Sequence, residues 1–369
     1  MTKKQAFLAA LRGERPDVVP VSPLIHARYA HKVLGRSDWR AVFEVHRMIG
    51  STHYRGPLGV GLRTNLPDGY EFVEEVVHED GSLRVARTTL HTPSGALTQT
   101  VRTGMIPADP LVSRTTEYFV KEPKDSEAFV RIWNEQADTA EPDPGAPIVE
   151  ACRVMGEEGV PSVGVGSAYA MMAEQRGMAE LLLDLLDEPD LMRAVAQAAW
   201  RYMDRLLDSF TACPSEVCFY DICWATGSNM GPRMFEAWVG EEIRRACQKV
   251  RAAGKCISLY TLGRIRELMD CMVDAGPHMI ATLEPNEGDI SLAEAKNRYG
   301  ARVCLMGNFD CVVPARGSVE QARREVARCL DEAMAGGGFI LGTADEVPAD
   351  ARPENLLAMV QVAQEHGRY

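Results

Sequence analysis

From Lys124 to the C-terminus, short apolar runs alternate with long helical stretches, and no other feature constrains the fold as strongly. The runs are residues 162–166, 217–221, 256–260, 279–284, 303–308 and 339–343. Such runs read as strands buried on both faces, as in a parallel sheet. Between them lie helical stretches such as 178–210, 233–253 and 319–335, and Gly254, Gly276 and Gly300 stand where helix-ending glycines are expected. Strict strand–helix alternation predicts parallel pairing. Two more strand candidates, 18–21 and 51–54, bring the count to eight, which predicts a single (β/α)8 barrel of the α/β class. The alternative is a doubly wound open sheet. No Gly-x-Gly-x-x-Gly opens a helix, which weighs against it.

The last run shows where the chemistry should lie. Gly336-Gly337-Gly338 precedes Phe339-Ile340-Leu341-Gly342, and then Thr343, Asp345 and Glu346 arrive together before Pro348 and a final helix over 354–366. Polar groups at the carboxyl end of a buried parallel strand sit where barrels carry their active sites. The same reasoning collects His26 and Arg28 after the first strand, and His53, Tyr54 and Arg55 after the second. Later strands contribute Asp221 and Cys223, then Tyr260, Glu284, Asn308 and Asp310. Of these, Glu284, Tyr260 and Asp221 are the expected catalytic groups, with Glu284 and Tyr260 as the acid pair. The expected substrate contacts are His26, Arg28, His53, Tyr54, Asn308, Asp310, Thr343, Asp345 and Glu346. Each has a plainer reading: Asp221, Asp345 and Glu346 as loop caps, Tyr260 as filler at the barrel mouth, and His26 and His53 as loop histidines. His78, His91, His278 and His366 are read as incidental.

Residues 70–118 differ in style. Glu71 to Val77 and Thr88 to Arg102 alternate in polarity, broken by Asp80-Gly81 and Pro93-Ser94-Gly95, the signature of antiparallel hairpins. Too little apolar content is present for a separate domain, so one domain over 1–369 with a hairpin insertion is expected. A net charge of −12 and the lack of a basic tract weigh against a nucleic-acid partner. No apolar run is long enough to span a bilayer, and the first residues form an amphipathic helix, so a cytoplasmic location is expected. Ten cysteines run from Cys152 to Cys329 without Cys-x-x-Cys or His-x-Cys spacing. Reduced thiols are expected, with Cys256, Cys271 and Cys329 as small core hydrophobes.

Several segments, taken in order, resemble the uroporphyrinogen decarboxylase superfamily over essentially the whole chain. They are Arg15-Pro16-Asp17-Val18-Val19-Pro20-Val21, Thr92-Pro93-Ser94-Gly95-Ala96-Leu97 with Val120-Lys121, and Leu283-Glu284-Pro285 with Gly288-Asp289. Met306-Gly307-Asn308-Phe309-Asp310, the 339–348 segment and Pro353-Glu354-Asn355-Leu356 complete the set. The resemblance implies a (β/α)8 barrel with a deep pocket at the strand carboxyl ends. True uroporphyrinogen decarboxylases carry Met-Arg-Gln-Ala-Gly-Arg-Tyr after the first strand, whose arginines grip substrate carboxylates. Ile25-His26-Ala27-Arg28-Tyr29-Ala30-His31 stands there and keeps one arginine. The family's Phe-Ser-Asp segment has no clear counterpart near Thr52-His53-Tyr54.

The tail and the 88–102 hairpin look more like the superfamily's corrinoid-dependent methyltransferases. Their zinc–thiol members use His-x-Cys-Gly after the fifth strand and a cysteine after the eighth. Aligned on Gly263, those positions hold Tyr260 and Leu262, and Thr343 replaces the last cysteine. Asp221, Cys223, Glu284 and His26 are types that could hold zinc instead. No Asp-x-His-x-x-Gly corrinoid segment occurs, the nearest being His53-Tyr54-Arg55-Gly56, so a corrinoid would have to come on a separate protein. The expected activity is methyl transfer from a small methylated or methoxylated substrate to a corrinoid protein. The rivals are decarboxylation of uroporphyrinogen or another acid, with Arg28 as clamp, and a non-catalytic barrel that binds a small molecule or tetrapyrrole. Oligomeric state is left open, a homo-oligomer included.

Overall fold

The structure, a computed structural model, describes residues 1–369. Its chain falls into two compact units, one of residues 1–60, 144–165 and 210–369, the other of residues 61–143 and 166–209. Besides a short antiparallel pair, Gly61–Arg63 with Glu141–Asp143, the strands numbered along the chain are, in one antiparallel sheet, β1 (Glu71–Asp80), β2 (Leu83–Thr92), β3 (Gly95–Thr103) and β4 (Ser113–Glu117). The parallel strands are β5 (Val163–Gly166), β6 (Val217–Asp221), β7 (Cys256–Tyr260), β8 (Met279–Leu283), β9 (Cys304–Phe309) and β10 (Phe339–Thr343).

In the first unit the order across the sheet is β10-β9-β8-β7-β6-β5, so every strand lies beside its neighbour in sequence. Pairing is parallel, with Asp221 opposite Tyr260 and Phe309 opposite Thr343, which brings the polar strand ends to one level. Residues of β7, β8, β9 and β10 are buried throughout, as the apolar runs require. Phe7, Leu8 and Leu11 of the first helix (Lys3–Leu11) join the strand residues Val217, Phe219, Met279, Met306 and Ile340 in one core.

Six parallel strands form, where eight were expected. The two N-terminal candidates make only isolated bridges, Val18 with Arg368, Val21 with Leu341, Leu24 with Glu346 and His53 with Gly159. Main-chain bonds nevertheless run through them: Ser22 N–H to Leu341 O (2.8 Å), Thr52 N–H to Val21 O (2.8 Å), Val160 N–H to His53 O (2.8 Å) and Ser162 N–H to Tyr54 O (3.1 Å). Pro20 and Pro23 have no N–H to give, which keeps the first segment from forming a regular ladder.

Helix boundaries depart from expectation at three points. The 178–210 stretch is two helices, Met178–Asp187 and Pro189–Ala212, because Pro189 cannot donate back into the first. The helix over Pro232–Ala252 contains a π turn at Glu236–Gly240. Gly254 and Gly276 take positive φ (73° and 83°), but Gly300 stays right-handed at −61°. Every cysteine is free, and Cys256 and Cys329 are buried. Cys271 departs from the core reading, since it is partly exposed and its Sγ–H donates to Glu236 Oε2 (2.8 Å).

The second unit holds an antiparallel sheet in the order β1-β2-β3-β4. Its helix Ser126–Thr139 buries Phe129, Ile132 and Trp133, and Phe119, Phe129 and Trp133 stack successively at 5.7 and 5.5 Å. Arg176 and Asp184 form a two-pronged pair there, Nε to Oδ2 at 2.7 Å and Nη2 to Oδ1 at 3.1 Å. No helix of the chain is long and apolar enough to cross a membrane.

Candidate active site

At the carboxyl ends of β6, β7 and β10, the first unit encloses a pocket of about 340 Å3, part of it open to solvent. Leu24, Ile25 and Phe219 give it apolar walls, and His26, Arg55, Asp221, Tyr260 and Glu346 supply the polar groups. A few convergent polar groups on apolar walls are what a small-molecule site requires. A wider depression of about 1090 Å3 lies at the amino ends of the strands, beside Arg12, Arg251 and Arg302. Volume alone therefore does not locate the site; the convergence of titratable groups on apolar walls does.

The Tyr260 hydroxyl, at the end of β7, donates to Asp345 Oδ1 at 2.5 Å. Burial raises the Tyr260 hydroxyl well above its ordinary range, and the neighbouring Asp345 adds to the effect. Burial likewise moves the Asp345 carboxyl upward, against the hydrogen bond from Tyr260 that favours its charged form. Asp345 N–H points to Cys311 Sγ (2.8 Å), whose thiol burial pushes up to about 12. Asp221 is also shifted upward by burial, partly offset by the Cys223 N–H that donates to Oδ1 at 2.9 Å. The expected partner of Tyr260 was Glu284, but the residue that touches it is Asp345.

Glu284 follows β8, and its Oε2 accepts from the backbone N–H groups of Glu287 and Gly288, the latter at 3.1 Å. Its carboxylate thus holds its own turn and does not line the pocket.

Thr343 is a buried staple, its hydroxyl accepting from Leu24 N–H (2.9 Å) and donating to Asp345 O (2.6 Å). Glu346 is gripped by Arg28 Nη2 at 2.5 Å and lies 3.6 Å from His26 Nε2. Asn308 is buried and bridges β8 and β9, donating to Leu283 O (3.1 Å) and accepting from Arg328 at Oδ1 (2.8 Å). Asp310 Oδ1 accepts from Val312 N–H (2.8 Å) at the start of the short helix Val312–Arg316 and from Asn286 Nδ2 (2.9 Å). These two serve the frame of the loops and do not line the pocket.

The second segment corrects the expectation most. Tyr54 points into the core, and its hydroxyl meets Ser258 Oγ. His53 is fully buried against His46 and Phe43, with ring centroids 5.2 and 6.1 Å away. Both ring nitrogens of His53 lack hydrogen-bond partners, and burial lowers it to about 3. Neither residue lines the pocket; Arg55, the third polar residue of the segment, does. The available signal was its place just before Gly56-Pro57, where the chain leaves the sheet.

No three His, Cys, Asp or Glu side chains converge as a metal would require, and Cys223, Asp221, Glu284 and His26 form no such group. Those residues do not fit a zinc ligand set. What the pocket can do is bind a small molecule between Arg55 and an acidic wall, and move a proton along Asp345 and Tyr260.

The geometry defines the class: an α/β protein with a polar pocket at the carboxyl ends of a parallel sheet. A family model described as uroporphyrinogen decarboxylase (URO-D) matches residues 118–366. The chain belongs to the uroporphyrinogen decarboxylase family. It is similar to the uroporphyrinogen decarboxylase of Alkalilimnicola ehrlichii, 26% identical over 187 residues that cover 49% of this chain and 48% of the relative. Against that of Ruthia magnifica it is 32% identical over 80 residues, 21% of this chain and 22% of the relative. The chain thus spans between about a fifth and a half of the curated relatives it matches. Among solved structures, a methyltransferase from Methanosarcina mazei superimposes with a TM-score of 0.68 at 16% identity, covering 99% of both chains.

Proposed function

We propose that this chain is a methyltransferase that takes a methyl group from a small methylated or methoxylated substrate and passes it to a corrinoid carried by a separate protein. In this reading the six strands and the extended segments around Val21 and His53 complete a (β/α)8 barrel, residues 1–369 act as one domain, and 70–118 is an insertion upon it. The observation that carries the proposal is the Tyr260–Asp345 hydrogen bond, whose Tyr260 end lines the polar pocket. The pocket's few polar groups set on apolar walls suit a small molecule. The likeness to the Methanosarcina mazei methyltransferase along the whole chain supports the same reading. Removing a methyl group from an ether or similar donor leaves a heteroatom that needs a proton. Burial shifts Asp345 toward its protonated form. Once protonated, its carboxyl donates to the Tyr260 oxygen instead of accepting from it. The Tyr260 hydroxyl is then free to pass its own proton to the leaving atom as Asp345 replaces it. The corrinoid, when bound, supplies the nucleophile that accepts the methyl group. Asp221 and His26 orient the substrate, and the Glu284 turn and the Asn308 and Asp310 bonds hold the loops in place.

Decarboxylation of a carboxylated substrate is the second reading, and one observation favours it: Arg55 stands in the pocket as a cation for an acid group. Uroporphyrinogen, with eight carboxylates, would need several such cations, whereas Arg28 is already engaged by Glu346. The deciding experiment follows cobalt-centred absorbance with reduced cobalamin and a panel of methoxyaromatics, while a parallel assay measures carbon dioxide release. Methyl-cobalamin formation that disappears in Tyr260→Phe supports methyl transfer. Carbon dioxide release without methylation would replace it with the decarboxylase, and neither activity alongside ligand-induced stabilisation would leave a binding protein.

A further inference from the structure

Arg55 is built into the pocket in a way that the proton-transfer reading does not use. Its guanidinium lies over the Phe219 ring, 4.7 Å from the centroid, and Nη1 donates to Gly56 O. Gly164 on β5 makes this position available, since a Cβ there would come within 3.0 Å of Nη2. Phe219 is in turn backed by Tyr260, with ring centroids 4.8 Å apart, so the cation sits on a stacked aromatic pair. Burial is the chief influence on Arg55 and lowers it, while Asp221 and Glu346 act upon it through space. Neither of them forms an ion pair with it: Glu346 is taken by Arg28, and Asp221 is held by the Cys223 N–H. A guanidinium cannot shed its proton at neutral pH, so one that is partly buried without a carboxylate bonded to it, as Arg55 is, favours an anion.

We infer that the ligand of this pocket is a small organic monocarboxylate, its carboxylate received by Arg55 and its apolar body by Leu24, Ile25 and Phe219. The inference rests on the small-substrate reading of the same pocket. The charge count sets the class. Arg55 is one cation, and Asp221 and Glu346 line the pocket with it, so a second negative charge on the ligand meets carboxyl groups. A planar guanidinium fixed on an aromatic ring also matches a carboxylate's two oxygens. Phosphate, with a larger charge and four oxygens, fits this surround less well. The arginine lies on the second extended segment, whereas the resemblance places carboxylate-binding arginines after the first strand.

The test is equilibrium binding by calorimetry to the full chain, with 4-methoxybenzoate, its neutral methyl ester, terephthalate and inorganic phosphate as probes. The expected result is that 4-methoxybenzoate binds at least tenfold more tightly than the ester and than the other two. Arg55→Gln erases that preference, and Arg55→Lys keeps part of it. Equal binding of acid and ester, tighter binding of phosphate or terephthalate, no binding of the acid, or a preference that survives Arg55→Gln would each overturn the inference. Should Arg55→Gln fail to fold, the acid–ester comparison on the unmodified protein and the Arg55→Lys variant decide. Because nothing in the readout requires turnover, carboxylate binding without methylation would refute the proposed activity and leave this inference standing.

Discussion

Tyr260 and Asp345 lie 85 residues apart in sequence and share a hydrogen bond of 2.5 Å. Both are shifted upward by burial, and each influences the other. A pair of this kind in a pocket is a candidate for proton handling, because neither group would hold that geometry without the other. Tyr260→Phe removes the relay hydroxyl and is expected to reduce methyl transfer about 100-fold, within the usual worth of a positioned acid. Asp345→Asn should cost a similar factor, and the double variant little more, since the two act as a unit. Steady-state kinetics of the four proteins checks this; additive losses would separate the pair.

Thr343 carries the geometry of that pair. Its buried hydroxyl joins Leu24 N–H to Asp345 O, tying the first extended segment to the loop after β10. Thr343→Val keeps the shape but leaves both backbone groups without that partner, at a cost of about 1 to 3 kcal/mol. Thr343→Ser should restore most of it. Denaturant unfolding of the three proteins measures the difference, and equal stability of the valine variant would remove the staple.

Much of this was legible in the sequence, and the reasons for the rest are local. The ends of β6, β7 and β10 fall where the apolar runs end, because a strand buried on both faces takes in only small polar groups that find a partner, such as Ser258, and no charged one until it leaves the sheet. That places Asp221, Tyr260 and Thr343 on one face without any knowledge of packing. Which carboxylate meets Tyr260 was not legible. Glu284 and Asp345 both follow strands, but Glu284 bends onto its own backbone at Glu287 and Gly288, a choice made by turn geometry. The segment His53-Tyr54-Arg55 hid a finer choice. One residue of register decides which side chain enters the core and which the pocket, and an irregular segment beside prolines gives no alternation from which to read it.

His53 makes the fold sensitive to acid. Its ordinary value is 6.5, and burial lowers it to about 3 in the folded chain. Between those values the unfolded chain binds a proton that the folded chain excludes, so stability falls as pH drops below 6.5. The loss approaches about 1.4 kcal/mol per pH unit for one such group. His46, lowered by burial and by His53, and His278, lowered to about 4, act in the same direction. His53→Leu gives up no hydrogen bond, because both ring nitrogens lack partners. Melting temperature followed from pH 7 to pH 4.5 should therefore fall less steeply in the leucine variant. An unchanged slope would mean that His53 reaches solvent.

Arg176 and Asp184 pose the corresponding question for the second unit. Their side chains are only 10% and 6% exposed, and two bonds of 2.7 and 3.1 Å join them face to face. Arg176 Nη1 also donates to Val120 O at 3.3 Å and to Lys121 O, so one guanidinium ties the start of the helix Met178–Asp187 to the chain after β4. Replacing Asp184 by Asn leaves that guanidinium bonded to a neutral amide, with the exposed Glu180 carboxylate, 3.8 Å away, as its remaining ion-pair partner. Removing one partner of a buried pair costs about 3 to 5 kcal/mol, far more than the intact pair contributes over an apolar substitute. Asp184→Asn should therefore lower stability by that order and speed amide exchange in 118–187 ahead of β6 to β10. Arg176→Met with Asp184→Leu, which buries no charge, should recover a large part of the loss. Hydrogen exchange followed by mass spectrometry distinguishes these outcomes, and uniform exchange across the chain in Asp184→Asn would show that the pair does not act locally.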